Sequence, residues 1–187
     1  KRLLENFYIY GNIFWQEHNT SNYTGMGLVA CINGQICSHW YIYNNTAVGF
    51  QGDQVNNGVS WGDSDPSSTD INVYNNLWYG TNKISFAQSS SGQINHDYNA
   101  FFNDTNVTVS ESNSQTSSVD PFADSTNGDF HLTAETKDGL HLSSPYDVDP
   151  DGVKRGSDNS IWTRGAYQYA PNSSSPDPPS NLVLSVH

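Results

Sequence analysis

Four short segments of the chain share one pattern of apolar and polar positions. In the first three, apolar residues occupy every second position before a tyrosine, which is the period of a half-buried β-strand. Apolar residues resume shortly after that tyrosine, so the pattern predicts a strand, a corner and a second strand in each segment. The segments are FYIYGNIF from Phe7, WYIYNNTA from Trp40, INVYNNLW from Ile71 and NHDYNAFF from Asn95.

The shared tyrosines recur at intervals typical of repeat proteins. Tyr10, Tyr43, Tyr74 and Tyr98 are 33, 31 and 24 residues apart, within the range of solenoid periods. The next residue is Gly11, Asn44, Asn75 or Asn99. Glycine and asparagine enter the left-handed backbone region at least cost, so we expect a sharp bend there in each repeat.

A third strand per repeat is predicted in GMGLVACI, around GVSWG and in NKISFAQ. Stacking such repeats, like residue over like residue, would build a right-handed parallel β-helix with three strands per coil. The expected fold class is therefore all-β, a parallel solenoid with a C-terminal closing segment. A chain rich in Asn, Ser, Thr and Gly and poor in strong helix formers agrees with this expectation.

The Tyr-Asn corners resemble the asparagine ladder of right-handed parallel β-helix proteins of the pectate-lyase-like group. In that group stacked asparagine side chains hydrogen-bond along the solenoid axis, which implies Asn44, Asn75 and Asn99 as the ladder. The segments DFHLTAETKDGLHL, DVDPDGVKRG and RGAYQYAP resemble the closing segment of bacterial secreted members. Thr163 and Arg164 stand where the family usually has Asp-Ile, which leaves the role of that acidic residue unassigned here.

These features divide the chain into three parts. We expect β-helix coils, truncated at the N-terminus, over residues 1–119 and the closing segment over 120–170. Residues 171–187 form a Pro- and Ser-rich linker, and their NLVLSVH end would suit the first strand of a following β-sandwich module. The resemblance implies a protein that is secreted or attached to the cell surface.

Charge narrows the set of partners. The 187 residues carry a formal net charge of -12, which disfavours nucleic acid because affinity for phosphates requires positive charge. No apolar run approaches the ~18 residues of a spanning helix, so we expect no membrane insertion. Cys31 and Cys37 bracket the turn-like INGQI and are either disulfide-bonded or two separate buried thiols.

A calcium site and a catalytic site are both conceivable. Asp147, Asp149 and Asp151 precede Gly152 in the manner of a calcium loop. Pro150 within the loop and a short Asp158 near its twelfth position argue against Ca²⁺. We therefore favour a simple turn that ends the fold, in which Arg155 pairs with one of these carboxylates.

Asp97 occupies the inward column of Ile9, Ile42 and Val73 in this alignment. An inward carboxylate is protonated, paired or functional, and His96 and Lys83 are its candidate partners. A structural role, capping backbone amides at the end of the core, competes with a catalytic one.

An enzyme with this fold would be a polysaccharide lyase or a glycoside hydrolase. A lyase needs calcium-holding carboxylates beside a basic residue, and neither Lys83 nor Arg2 adjoins an aspartate cluster. A hydrolase needs two carboxylates ~5 to 9.5 Å apart. The segment shows no complete catalytic site, so whether the protein is an enzyme stays open.

The longer loops combine aromatic, amide and carboxylate groups, which suits the binding of sugar rings. The candidates are Trp15, Tyr23, Trp61 and Asp63. We therefore expect part of an extracellular protein that recognises or processes carbohydrate, with a polysaccharide or a cell-surface glycan as partner. The alternative is a structural adhesin stalk or filament subunit that self-associates through the solenoid ends.

Overall fold

The computed structural model describes residues 2–15, 28–31, 34–51, 56–61, 67–88, 94–157 and 159–171. Within these ranges the chain forms β-strands joined by turns and contains no helix. In chain order the strands are β1 (Leu3–Tyr10), β2 (Ile13–Trp15), β3 (Val29–Ala30), β4 (Ile36–Tyr43), β5 (Thr46–Val48), β6 (Val59–Trp61), β7 (Thr69–Tyr74), β8 (Leu77–Tyr79), β9 (Phe86–Gln88), β10 (Ile94–Asp97), β11 (Ala100–Phe102), β12 (Gln115–Ser117), β13 (Phe122–Asp124) and β14 (Asp129–Leu132).

Strands β1 to β12 form three parallel sheets. The first sheet has the order β1-β4-β7-β10, the second β2-β5-β8-β11-β12 and the third β3-β6-β9. Successive strands from β1 to β9 enter the first, second and third sheet in turn, so each repeat contributes one strand to each sheet. The prediction of an all-β chain with parallel pairing between repeats is confirmed.

The register of the first sheet follows the predicted columns in three repeats and departs from them in the fourth. Tyr10, Tyr43 and Tyr74 are paired at one level of the sheet. In the fourth repeat, Asp97 rather than Tyr98 pairs with Tyr74. The predicted alignment is therefore wrong by one residue there, because this register places Ile94 in the buried column of Ile71.

The corners adopt the expected left-handed backbone. Gly11, Asn44 and Asn75 have φ values of 66°, 53° and 59°, as their residue types predict. In the fourth repeat the corner residue is Tyr98, with a φ of 57°. Asn99, which was predicted to be the corner residue, is instead the residue that follows the corner.

An asparagine ladder is present, but it uses the residue after each corner. Its side-chain amides donate from Asn12 to Asn45 (3.0 Å), from Asn45 to Asn76 (2.9 Å) and from Asn76 to Asn99 (3.1 Å). Asn99 is thus a ladder residue as predicted, whereas the assignment of Asn44 and Asn75 to the ladder is wrong. A left-handed corner residue turns its side chain away from the core, and the following residue faces the interior.

The corner asparagines instead hold the C-terminal segment. Asn44 Nδ2 donates to the carbonyl oxygen of Tyr146 (3.0 Å). Asn75 Nδ2 donates to the carbonyl oxygen of Leu140 (2.8 Å), and its Oδ1 accepts from Leu140 N (2.7 Å). Gly165 N adds a bond to Asn75 O (2.7 Å). Leu140, Tyr146 and Gly165 therefore lie against the corners, and the DFHL part of the predicted closing segment forms β14, antiparallel to β13.

The core consists of the inward columns of the sheets. Trp40, Ile42, Ile71 and Val73 are at most 4% exposed, as alternation in a half-buried strand requires. Cys31 and Cys37 are joined by a disulfide within this core and are both fully buried. Residues 172–187 of the predicted linker lie outside the described residues.

Candidate functional site

The outer face of the first sheet presents two columns of tyrosine, asparagine and aspartate. These positions alternate with the buried core residues, so their side chains lie on the opposite side of the sheet. Because paired strands are ~4.8 Å apart, like groups repeat at a short, regular spacing across the repeats. One column is Tyr8, Tyr41, Asn72 and Asn95, and the other is Tyr10, Tyr43, Tyr74 and Asp97.

The tyrosines of this face pack on one another. The rings of Tyr8 and Tyr41 stack with centroids 5.2 Å apart. Tyr43 contacts Tyr74 at 5.9 Å, and Tyr146 of the C-terminal segment meets Tyr43 edge-on at 4.9 Å. Burial, together with neighbouring tyrosines and Asp70, raises the pKa of Tyr43 well above its ordinary value. The Tyr43 hydroxyl is therefore neutral at physiological pH.

Amide and carboxylate groups continue the face beside the tyrosines. The Tyr41 hydroxyl donates to Asp70 Oδ2 (3.3 Å), and Asn72 Nδ2 donates to Asp70 Oδ1 (2.9 Å). Asn95 Nδ2 donates to Asn72 Oδ1 (3.3 Å). Donors and acceptors are thus connected across three strands and fixed in position.

An open depression of about 400 Å³ lies where this face reaches the fourth repeat. It contains two of the predicted catalytic residues, Asp97 and His96, together with a second carboxylate. Its lining residues are Tyr74, Ile94, Asn95, His96, Asp97, Ser110, Glu111 and Ser112.

Asp97 faces this depression and not the core, because of the shifted register. Its Oδ1 accepts from Tyr98 N (2.9 Å) and Asn113 N (2.8 Å), and its Oδ2 accepts from Asn113 Nδ2 (2.8 Å). Burial by itself raises the pKa of Asp97, but these hydrogen bonds outweigh it and hold the pKa below its ordinary value. The carboxylate is ionised and fastens the segment that carries Asn113.

Glu111 is the residue of this site that the sequence did not reveal. Its side chain is fully buried and lies 3.0 Å from His96 Nδ1, measured to Glu111 Oε1. The carboxylate also accepts from Asn99 N (3.0 Å) and Asn99 Nδ2 (2.7 Å), so it takes the place of the next asparagine in the ladder. Glu111 lies in SESNS, which lacks the repeat pattern, and no sequence signal marks it.

Lys83 does not belong to this group of residues. It is exposed at a left-handed bend with a φ of 54°, and it is not among the residues that line the depression. Its backbone N donates to Thr105 O (2.9 Å), which is a hydrogen bond between the third and fourth repeats. The hypothesis that Lys83 partners Asp97 therefore has no support in the geometry.

Arg164 joins the C-terminal segment to the end of the ladder. It is 1% exposed and donates to the carbonyl oxygens of Asn99 (3.0 Å) and Asp138 (2.9 Å). Burial lowers the pKa of Arg164, and the charges of Glu111 and Asp97 act in the opposite direction. Arg164 is thus a structural anchor beside the site.

The predicted calcium ligands make other interactions. Asp149 Oδ1 accepts from Asp151 N (3.0 Å) and Val153 N (2.8 Å), and Asp149 Oδ2 accepts from Gln168 N (3.0 Å). In the part of the chain that the structure describes, which omits Asp158, no three His, Cys, Asp or Glu side chains are grouped to hold a metal ion. The turn interpretation accounts for these contacts, and calcium at Asp147, Asp149 and Asp151 stays an untested prediction.

Arg155 also differs from its predicted role. Its guanidinium donates to the carbonyl oxygens of Thr163, Gly165 and Ala166, and no hydrogen bond joins it to a carboxylate in the described residues. Burial lowers its pKa to about 10, and the charge of Asp149 opposes the decrease. Carbonyl groups of the final segment thus replace the expected ion pair.

The two described members of the predicted sugar-binding set belong to different sheets, and the set as a whole stays a prediction. Trp15 lies on the second sheet, is 40% exposed and meets Phe130 edge-on at 5.4 Å. The backbone of Trp61 belongs to the third sheet. Tyr23 and Asp63 lie outside the described residues.

Two further observations concern membrane-spanning helices and similarity to known proteins. None of the described residues belongs to a helix with the length and apolar character needed to cross a membrane. Comparison with protein-family models, with curated proteins and with solved structures finds no match for this chain.

Proposed function

We propose that the chain is a right-handed parallel β-helix of the pectate-lyase-like type that binds carbohydrate on the outer face of its first sheet. The β-helix proposal is supported by three parallel sheets entered in turn and by the asparagine ladder between repeats. The carbohydrate proposal depends on one observation: the ordered tyrosine, asparagine and aspartate columns run into a polar depression.

The chemistry of this face suits sugar rings. A pyranose offers apolar C–H faces and many hydroxyl groups, which aromatic rings and planar amide or carboxylate groups recognise. Tyr8 is 55% exposed and offers ring surface in the same column as Asn72, from which Tyr41 separates it. With a net charge of -12, the protein would repel a polyanion, so a neutral glycan is the better ligand.

Binding fits the depression better than cleavage does. A hydrolase requires one carboxylic acid and one carboxylate that are both directed at the substrate. Asp97 instead accepts three hydrogen bonds from Tyr98 and Asn113, and Glu111 accepts two from Asn99 and contacts His96. A recognition module of a secreted or cell-surface protein is the proposal that follows, and the buried disulfide suits an oxidising compartment.

A structural filament subunit is the second candidate. It is favoured by the exposed apolar residues of the first repeat, Leu3 and Phe7, which are 54% and 41% exposed. Stacking end to end would require the opposite end to offer a complementary ladder group. Glu111 occupies that position with an acceptor-only carboxylate, which argues against an end-to-end filament.

The test is a glycan array, with and without Ca²⁺, followed by titration of the best neutral glycan. We expect Tyr8→Ala and Asn95→Ala to weaken binding roughly tenfold or more, which corresponds to about 1.4 kcal/mol for a lost ring or amide contact. Val119→Ala, at an exposed residue outside the face, is the matched control and should bind like the original chain.

Three results would overturn the proposal. Binding that is unaffected by both substitutions would move the site elsewhere. Release of reducing ends or unsaturated products from any glycan would establish an enzyme. Binding to no glycan, together with long particles in sedimentation, would favour the filament.

A further inference from the structure

The tyrosines of the outer face form one connected group of rings, the tyrosine cluster. Neighbouring rings in this group have centroids 4.9 to 5.9 Å apart. Phenols are among the side chains that lose an electron most easily, and an electron passes readily between rings in contact. The cluster therefore has a redox chemistry that sugar binding does not use. Its members are Tyr8, Tyr10, Tyr41, Tyr43, Tyr74 and Tyr146.

Tyr8 and Tyr41 are the stacked pair of this cluster. Their ring planes are inclined by 16°, with centroids 5.2 Å apart, whereas the other contacts in the cluster are tilted or edge-on. The two residues are direct partners in the parallel pairing of β1 with β4. The backbone register thus keeps two phenol rings face to face.

Tyr41 also has a proton acceptor in place. Its hydroxyl donates to Asp70 Oδ2 (3.3 Å), and Asn72 Nδ2 holds the other oxygen of that carboxylate (2.9 Å). Burial and the negative charge of Asp70 raise the pKa of Tyr41, so the phenol is neutral at physiological pH. Loss of an electron makes a phenol strongly acidic, and a carboxylate already bonded to it takes the proton. The Asp70 side chain is 43% exposed and can pass the proton to water.

Two other tyrosines show that this combination is selective. Tyr79 is hydrogen-bonded to Asp120, but its ring meets Phe122, which has no phenol to oxidise. Tyr43 contacts other tyrosines, but it is buried, and its hydroxyl donates to no carboxylate among the described residues. Within the described ranges, Tyr41 combines a carboxylate acceptor with a stacked tyrosine.

We propose that Tyr8 and Tyr41 form an oxidative modification site, at which a diffusible one-electron oxidant joins the two rings as dityrosine. The proposal depends on the ring stack and on Asp70, and it is independent of carbohydrate binding. The product would be a covalent link between β1 and β4.

The reaction consumes two equivalents of the oxidant, each of which is reduced by one electron. Tyr41 loses its phenol proton to Asp70 and Tyr8 loses its own to water, which leaves two phenoxyl radicals. The radicals form one carbon–carbon bond between ring positions next to the oxygens. The hydrogen on each bonded carbon is then lost as a proton while each oxygen regains one, so both phenols are restored. The protein loses two electrons and two protons in total.

The experiment exposes the complete chain to photochemically generated ruthenium(III) tris-bipyridine, with persulfate as the final electron acceptor. Dityrosine is followed by its fluorescence and located by mass spectrometry. Cleavage after Glu5 and Glu17 separates the peptide of Tyr8 from that of Tyr41. We expect these two peptides to be joined, two hydrogen atoms lighter than their sum, in a yield that does not change with protein concentration.

Matched substitutions assign the atoms. Tyr8→Phe and Tyr41→Phe keep the ring but should each abolish this product, whereas Tyr79→Phe should leave its yield unchanged. Asp70→Asn keeps an acceptor oxygen but cannot take up the proton, and should slow cross-linking roughly tenfold or more. Circular dichroism of each variant verifies that the fold is retained.

The cross-link has a measurable effect on stability. Joining residues 8 and 41 restricts the unfolded chain, as a disulfide does. The oxidised chain should therefore have a higher unfolding midpoint than the untreated chain, and oxidised Tyr8→Phe should show no such increase. An equal midpoint with and without the cross-link would overturn its role as a covalent link between the strands.

Four other results would overturn the proposal. A yield that rises with protein concentration would place the bond between two copies of the chain. Dityrosine that persists in both Phe variants would place it at other tyrosines. Oxidised tryptophan or methionine without dityrosine would show that the stack is not the reactive site. An unchanged rate in Asp70→Asn would remove the carboxylate from the reaction.

Discussion

The pKa of Asp104 differs between the folded and the unfolded protein. Its Oδ1 accepts from Thr81 N (2.6 Å), and its buried Oδ2 has no hydrogen-bond partner among the described residues. Burial raises the pKa of Asp104 to about 8, although backbone hydrogen bonds from Thr81 and Phe102 act to lower it. The side chain is thus mainly protonated in the folded protein at neutral pH.

This pKa predicts a stability that falls as pH rises. Because the folded pKa lies above the unfolded value of 3.8, the contribution is full below 3.8 and is lost as pH rises through about 8. Asp104→Asn, which is neutral at every pH, should flatten the decline in the free energy of unfolding. Urea unfolding across this range measures the effect, with Asp124→Asn at the exposed end of β13 as control. Parallel declines in the original chain and Asp104→Asn would contradict the prediction.

Glu111 provides a second prediction at this scale. Glu111→Leu leaves the backbone and side-chain N–H groups of Asn99 without their acceptor, and should cost roughly 2–4 kcal/mol of unfolding free energy. Glu111→Gln keeps an acceptor and should cost about 1 kcal/mol or less. Chemical denaturation compares the two variants. An equal loss in both would mean that the carboxylate's charge, and not its acceptor role, matters.

At the scale of elements, His131 joins β14 to the turn that contains Asp149 and Asp151. His131 of β14 places Nδ1 2.5 Å from Asp129 Oδ1 and Nε2 2.8 Å from Asp151 Oδ2, and its ring stacks on Tyr167 at 4.1 Å. Burial lowers the pKa of His131, but the hydrogen bonds that its ring donates to Asp151 and Asp129 outweigh burial and raise the pKa overall. A protonated ring donates to both carboxylates.

The expected result is a C-terminal segment that loosens at higher pH. A raised histidine pKa means that the stabilisation is full below 6.5 and is lost as pH rises through the folded value. The difference in unfolding free energy between the original chain and His131→Gln should therefore shrink with increasing pH. His141→Gln, at a more exposed histidine, serves as the control. A difference that stays constant with pH would refute the charged bridge.

The repeats also show how much of this molecule can be predicted from its sequence. Alternating apolar positions and Gly or Asn corners were sufficient to predict the strands, their parallel stacking and the left-handed bends. The ladder position was missed by one residue, because Asn44-Asn45 and Asn75-Asn76 are both Asn-Asn pairs and composition cannot show which member faces inward. A single-residue register shift in the fourth repeat moved Asp97 from the core to the surface.

The site was less predictable than the fold. Asp97 and His96 were identified, but Glu111 and Arg164 reach the depression or its edge from segments without a repeat pattern. Their positions depend on how long connections pack against the ends and corners of the sheets. Such packing is a tertiary effect that local periodicity does not encode.

At the scale of the whole molecule, the net charge of -12 governs long-range attraction. A polyanionic glycan such as polygalacturonate should bind weakly at low ionic strength and more tightly as salt screens the repulsion, since the Debye length falls to ~10 Å at 0.1 M. A neutral glycan should show little dependence on salt. Titration calorimetry at several ionic strengths measures both, and tight polyanion binding in low salt would contradict this prediction.

The asparagine ladder also gives the molecule a net dipole along the stack of repeats. Its amide dipoles are aligned because each side chain donates toward the next repeat, so their partial charges add along the stack. The positive end meets the Glu111 carboxylate, much as the amino end of an α-helix attracts an anion. In the described ranges, which contain no helix, a row of side chains thus supplies the macrodipole, and a buried anion stabilises its positive end.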